Sequence, residues 1–239
     1  MMDVGLLVSV IVTVAVPAMF VAPRPLAAAP RGLIDTTLGA AAVGLIVGRL
    51  CALALDDPGS LTKVSSILVI RSGVDFWPGV VAAMVWLSFG ARREGTAPWL
   101  RLAAIAPAAM IAWGSYEATC LVRDGCPGPP SAIGLRPEGL TSTVLPVGLI
   151  VAATAVVAAL LLRRRRSTAT AAPAIALAAV ALVGAIRSVA SIWLPHVGVG
   201  LTRQHRTSIA TTVFALAGLG IVHLRNRRQL VASEGRTIA

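Results

Sequence analysis

Charge is scarce in this 239-residue chain: 13% of its residues are Asp, Glu, Lys or Arg, and Lys63 is the single lysine among 21 basic residues. With 56% hydrophobic residues and a mean hydropathy of +0.83, too little polar surface remains to cover a soluble globular domain. Cysteine and histidine are scarce too, three of each. They form no cluster with metal-ligand or redox spacing, so no zinc or thiol–disulfide motif and no cofactor is expected. A basic segment before the first apolar run is also missing, since the chain opens Met1-Met2-Asp3, and no cleaved signal peptide is expected. No internal repeat of useful length is visible. The near-absence of lysine beside abundant arginine and alanine suggests a GC-rich bacterial genome.

What the chain does have is long apolar runs bounded by arginine. Leu38 to Leu55 reads LGAAAVGLIVGRLCALAL, and Thr143 to Leu162 runs apolar into Arg163-Arg164-Arg165-Arg166. Roughly 20 apolar residues in a helix rising about 1.5 Å per residue span the ~30 Å hydrocarbon core. Seven candidate spans follow, near 5–22, 37–55, 76–91, 98–116, 143–162, 171–187 and 207–223. The expected fold is an all-α polytopic bundle, with residues 1–228 as one transmembrane domain and 229–239 as a cytoplasmic tail.

Basic segments near a span resist translocation. With the N-terminus outside, the inner segments hold Arg24, Arg31, Arg92, Arg93, Arg163 to Arg166, Arg225, Arg227, Arg228 and Arg236, against Asp35, Glu94 and Glu234. The outer segments balance Lys63, Arg71, Arg123, Arg136, Arg187, Arg203 and Arg206 with Asp3, Asp56, Asp57, Asp75, Glu117, Asp124 and Glu138. N-out/C-in in a bacterial cytoplasmic membrane is the expected arrangement. The net charge of +11 then concerns orientation rather than nucleic acid, and the runs at 163–166 and 225–228 read as topology anchors.

An ionisable group within a span costs at least ~2.5 kcal/mol at the centre, so such residues mark cavities or partners. Arg49 lies about two turns from the outer end of the second run, where it either snorkels or grips a phosphate with its planar fork of donors. Arg101, beside Trp99, reads as an interfacial anchor. Arg187 is expected to end the sixth span near Ser188 and Ser191, with Asp75 and Glu117 at the same membrane face. Either an ordinary Trp/Arg belt or a site lined by Arg49 and Arg187 and open to the outer leaflet accounts for this grouping. The long segments near 56–75, 117–142 and 187–206 all fall outside. His196 and His205 are expected in the last of them as exposed loop residues. Cys51 reads as a small packing residue. Cys120 and Cys126 can pair if their side is oxidising.

The order of short motifs resembles the prolipoprotein diacylglyceryl transferase family. Val47-Gly48-Arg49-Leu50 resembles its Gly-Arg segment in the second helix, and Arg71-Ser72-Gly73-Val74-Asp75-Phe76-Trp77-Pro78-Gly79 its glycine-rich loop into the third. Cys120-Leu121-Val122-Arg123-Asp124-Gly125-Cys126-Pro127-Gly128 resembles a Cys-containing variant of its signature. Gly200-Leu201-Thr202-Arg203-Gln204-His205-Arg206-Thr207-Ser208 resembles the approach to its last helix. The resemblance covers residues 35 to 222 and lies in order and spacing. It implies seven spans, N-out and C-in.

It also implies a reaction: a lipobox cysteine thiolate attacks the glycerol carbon of phosphatidylglycerol and expels glycerol phosphate. By the resemblance, Arg49 and Arg187 stabilise the leaving phosphate, with Glu117 among the catalytic groups. Arg71, Asp75, Arg123 and Arg203 contact the substrates, phosphatidylglycerol or another anionic phospholipid and a preprolipoprotein segment. The chain departs from the family pattern where the loop His or Tyr falls on Trp77 and the second loop glycine on Pro78; the signature arginine is replaced by Glu117 or displaced along the chain, and the late Glu-x-x-Arg falls near Ser191 and Leu194. Asp75 and Glu117 stand as substitute bases. A non-catalytic descendant that binds phospholipid or precursor is the alternative. A small-solute transporter is disfavoured because paired, broken-helix halves are not visible.

Overall fold

The computed structural model describes residues 4–21, 33–63, 73–120, 128–136, 141–165, 168–193 and 201–237. Among these the chain is mostly helical, with α1 (Val4–Val21), α2 (Leu33–Asp56), α3 (Phe76–Arg93), α4 (Pro98–Ala118), α5 (Val147–Arg163), α6 (Ala172–Trp193) and α7 (Arg203–Thr237). Three stretches are long and apolar enough to cross a membrane: Asp35–Asp56 in α2, Ala172–Trp193 in α6 and Arg203–Gln229 in α7. α5 is apolar but shorter.

Local chemistry sets the helix ends. α2 stops at Asp56-Asp57-Pro58, where a 3₁₀ turn, Pro58–Thr62, takes over; proline withholds the N–H that another α-helical turn would need. Pro78 is tolerated in the first turn of α3 because the N–H groups there have no intrahelical acceptor. α3 ends in a Schellman motif, with Thr96 N–H donating to the Ala91 carbonyl and Gly95 N–H to that of Arg92. Gly95 adopts φ +67°, a left-handed conformation a Cβ would penalise. Thr202 caps α7, its Oγ1 accepting the His205 N–H at 3.2 Å, the usual bond to the third helical residue.

By internal contacts the chain divides into two units. The first holds α2, the 3₁₀ turn, α3 and α4 as far as Leu102; the second holds α1 and everything from Ala103 onward. In the first, α2 and α3 form an antiparallel pair through small residues. A Cβ on Gly44 would come within 2.9 Å of the Gly79 carbonyl oxygen, and one on Gly79 within 2.7 Å of that of Gly44. Gly44 and Gly48, four residues apart, let the backbones approach, the close-packing device of membrane helices. In the second, α6 packs against both α5 and α7. Val147, Val151 and Ala190 form a buried cluster there, covered by Trp113, Leu145 and Ile186. β1 (Pro130–Leu135) precedes α5 and bridges to Val144.

α1 to α5 follow the expected spans within a few residues, whereas α6 and α7 outrun theirs, α7 as far as Thr237, so that most of the expected 229–239 tail is helical. α6 continues six residues past Arg187, to Trp193, so Arg187 is inside a helix rather than at its end. α7 begins at Arg203, so His205 is not an exposed loop residue but a buried member of the first helical turn. Arg101 is corrected as well. It is 3% exposed and bonds Glu94 through both terminal nitrogens, one contact measuring 3.0 Å, so it locks the α3–α4 turn rather than anchoring at an interface.

Candidate functional site

In the first unit the polar focus is Arg49. It is 4% exposed on α2, and its Nη1 donates to the Gly73 carbonyl at 3.1 Å. One residue earlier on α2, the Gly48 carbonyl accepts the Asp75 N–H at 3.0 Å. Gly48 permits this, since a Cβ there would meet the Asp75 carbonyl oxygen at 2.7 Å. The strap from Gly73 to Asp75 is thus tied across α2 by one side-chain and one backbone bond. Asp75 is buried at the α3 N-cap position, followed by Phe76 and Trp77 with rings edge to face, 5.1 Å between centroids. The sequence places Arg49 and Asp75 26 residues apart, and the structure brings their segments together.

In the second unit the focus is α6. Arg187 Nη1 reaches Glu117 Oε1 on α4 at 3.4 Å, and the same oxygen accepts the Trp113 indole N–H at 2.9 Å. The Arg187 guanidinium carbon lies 5.9 Å from the Trp113 ring centroid, at the edge of cation–π range. Both partners of the ion pair are 18% exposed along their side chains. One turn further along α6, Ser191 Oγ donates to the Ser188 carbonyl at 2.9 Å and is hydrogen-bonded to His205 Nδ1 on α7. Arg187 and Ser191, four residues apart, share a helix face. A polar stripe on α6 therefore holds both α4 at Glu117 and α7 at His205.

Of the residues the sequence singles out, Arg187 and Glu117 meet directly, and Arg49 meets the segment carrying Asp75. Arg203 occupies the first turn of α7, two residues before His205. Arg49 and Arg187 belong to different units. Arg71 and Arg123 lie outside the described residues. Cys120 is disulfide-bonded and Cys51 is free; Cys126, which the sequence reading left open as a partner, lies outside the described residues. Among the described residues no cluster of His, Cys, Asp or Glu could hold a metal ion.

Two contributors escaped the sequence reading. Trp113 stands one helical turn before Glu117, a spacing that is legible once the carboxylate is suspected. The bond between Ser191 and His205 was hidden because both helix ends were placed too short. Compared with known proteins, the chain matches no family model and no curated sequence.

Proposed function

We propose that this protein is a multi-pass membrane transferase of the prolipoprotein diacylglyceryl transferase type, moving diacylglyceryl from phosphatidylglycerol to a lipobox cysteine thiol. One observation carries the reading: segments that resemble the family's motifs pair off in space. Gly48-Arg49 holds the strap leading into Asp75-Phe76-Trp77, while Glu117 and His205 both dock on α6, at Arg187 and Ser191. In the reaction, a C–S bond forms at the glycerol carbon as the C–O bond to phosphate breaks, and glycerol phosphate leaves with the electron pair. Buried guanidinium groups suit that leaving group, because preorganised cations act strongly where water is excluded.

The reading carries with it seven spans, N-out/C-in, in a bacterial cytoplasmic membrane. The Cys120 disulfide supports an oxidising side for the C-terminal end of α4. The arginines closing α3 and α5 support a cytoplasmic side for those ends.

A second reading, a non-catalytic protein that binds phospholipid or lipoprotein precursor, is favoured by the state of Glu117. One of its carboxylate oxygens is engaged by both Trp113 and Arg187, a better arrangement for fixing helices than for accepting a proton. Purified protein in phosphatidylglycerol vesicles, given a lipobox peptide, separates the two. Release of glycerol phosphate that falls about 10²–10³-fold in Arg187→Ala supports the transferase; vesicle lipid bound without release supports the binder.

A further inference from the structure

The pair formed by Ser191 and His205 has features that a purely structural contact does not need. A serine hydroxyl carries one proton. Here the hydroxyl donates to the Ser188 carbonyl, an acceptor only, at 2.9 Å. With that proton committed, the bond between Ser191 Oγ and His205 Nδ1 requires the imidazole to donate. Nδ1 then carries the hydrogen, and the lone pair is on Nε2. The backbone around the ring is fixed as well, because His205 N–H is held by the Thr202 cap. Among the described residues Nε2 has no hydrogen-bond partner. His205 is thus a buried histidine whose tautomer is set from one side and whose basic nitrogen is available on the other.

We propose that His205 is the general base of the group transfer, taking the lipobox thiol proton on Nε2, with Ser191 as the positioning residue that holds Nδ1–H. This rests on the transferase reading. The proton passes from sulfur to Nε2, the sulfur lone pair forms the C–S bond, and the C–O bond to phosphate breaks. The imidazolium then returns the proton to the departing phosphate or to water. Of the two carboxylates that compete for the role, Glu117 is engaged by Trp113 and Arg187, and Asp75 has its backbone tied to α2 at the start of α3. Arg203 and Arg206 share the first turn of α7 with His205, and Arg187, already paired with Glu117 on α4, lies one turn before Ser191 on α6. Nearby arginines favour thiolate once formed, while the base itself supplies the proton acceptor they cannot.

His205→Asn retains an N–H donor toward Ser191 and removes Nε2. In the same vesicles, across roughly pH 5 to 8, glycerol phosphate release by His205→Asn should fall about 10²–10⁴-fold. The acid limb of the pH–rate profile should vanish, and vesicle binding should remain. Ser191→Ala should slow release about five- to tenfold, the size of one hydrogen bond, and displace the acid limb. A His205→Asn protein of native helicity that releases at the wild-type rate overturns the proposal and leaves the transferase reading standing. If His205→Asn does not fold, Ser191→Ala decides, since an unchanged rate and profile contradict the assignment. A wild-type protein that releases nothing removes the transferase reading and this base with it.

Discussion

Three arginines on apolar helices are each held by a different kind of partner. Arg49 donates to a backbone carbonyl, Arg101 forks onto Glu94, and Arg187 faces a carboxylate and an indole ring. An arginine at the centre of a span costs at least ~2.5 kcal/mol, so on α2 and α6, both long and apolar enough to cross a membrane, such bonds offset a penalty of that kind. The Arg101 hydrogen bond, with its charge, holds the Glu94 carboxyl below the usual glutamate range, against a smaller opposing effect of burial. Because the folded value is depressed, the pair's stabilisation is complete above the unfolded glutamate range and is lost as pH falls through the folded value beneath it. Glu94→Gln should therefore lower the unfolding temperature in detergent at neutral pH. Its deficit relative to wild type should shrink as the medium is acidified below the ordinary glutamate range, and a deficit independent of pH would contradict the pairing. Sequence alone marked Arg49 as a residue needing a partner. It misjudged Arg101, because neighbouring Trp99 suggests a lipid interface while the guanidinium lies beside Gly90 of α3 and on Glu94, which no local pattern reveals.

At the scale of elements, helix existence was largely legible, since apolar runs broken by proline and arginine mark their own ends. α4 was expected over 98–116 and spans Pro98–Ala118. The failures have one cause: a charge inside a helix looks like a terminus until its partner is known. Arg187 reads as the end of α6, yet Glu117 satisfies it and the helix continues. His205 was consequently assigned to a loop. Helix pairing was not legible either, although Gly44 and Gly48 carry the small-residue spacing that lets α2 meet α3. Gly79→Ala tests this packing. Its Cβ would press on the Gly44 backbone, and a loss of about 1–3 kcal/mol is expected. Gly220→Ala is the control, because its Cβ meets nothing within 4 Å; helix propensity should make it neutral or stabilising. Equal effects from the two substitutions in a detergent unfolding assay would contradict close α2–α3 contact.

For the whole molecule, the charge pattern and the site make linked demands. Reporter fusions after Arg166 and after Arg228 should both report cytoplasm, and a periplasmic signal at either point would reverse the arrangement. The polar stripe on α6 and the strap across α2 are each built within a single unit. The most direct test is the product itself. A lipobox peptide incubated with the protein in phosphatidylglycerol vesicles should gain one diacylglyceryl group on its cysteine sulfur, seen by mass spectrometry. A Cys-to-Ser peptide should gain nothing, and the gain should be lost in Arg49→Ala and Arg187→Ala. An unmodified cysteine peptide, with the wild-type protein folded and bound to the vesicle lipid, would contradict the transferase assignment.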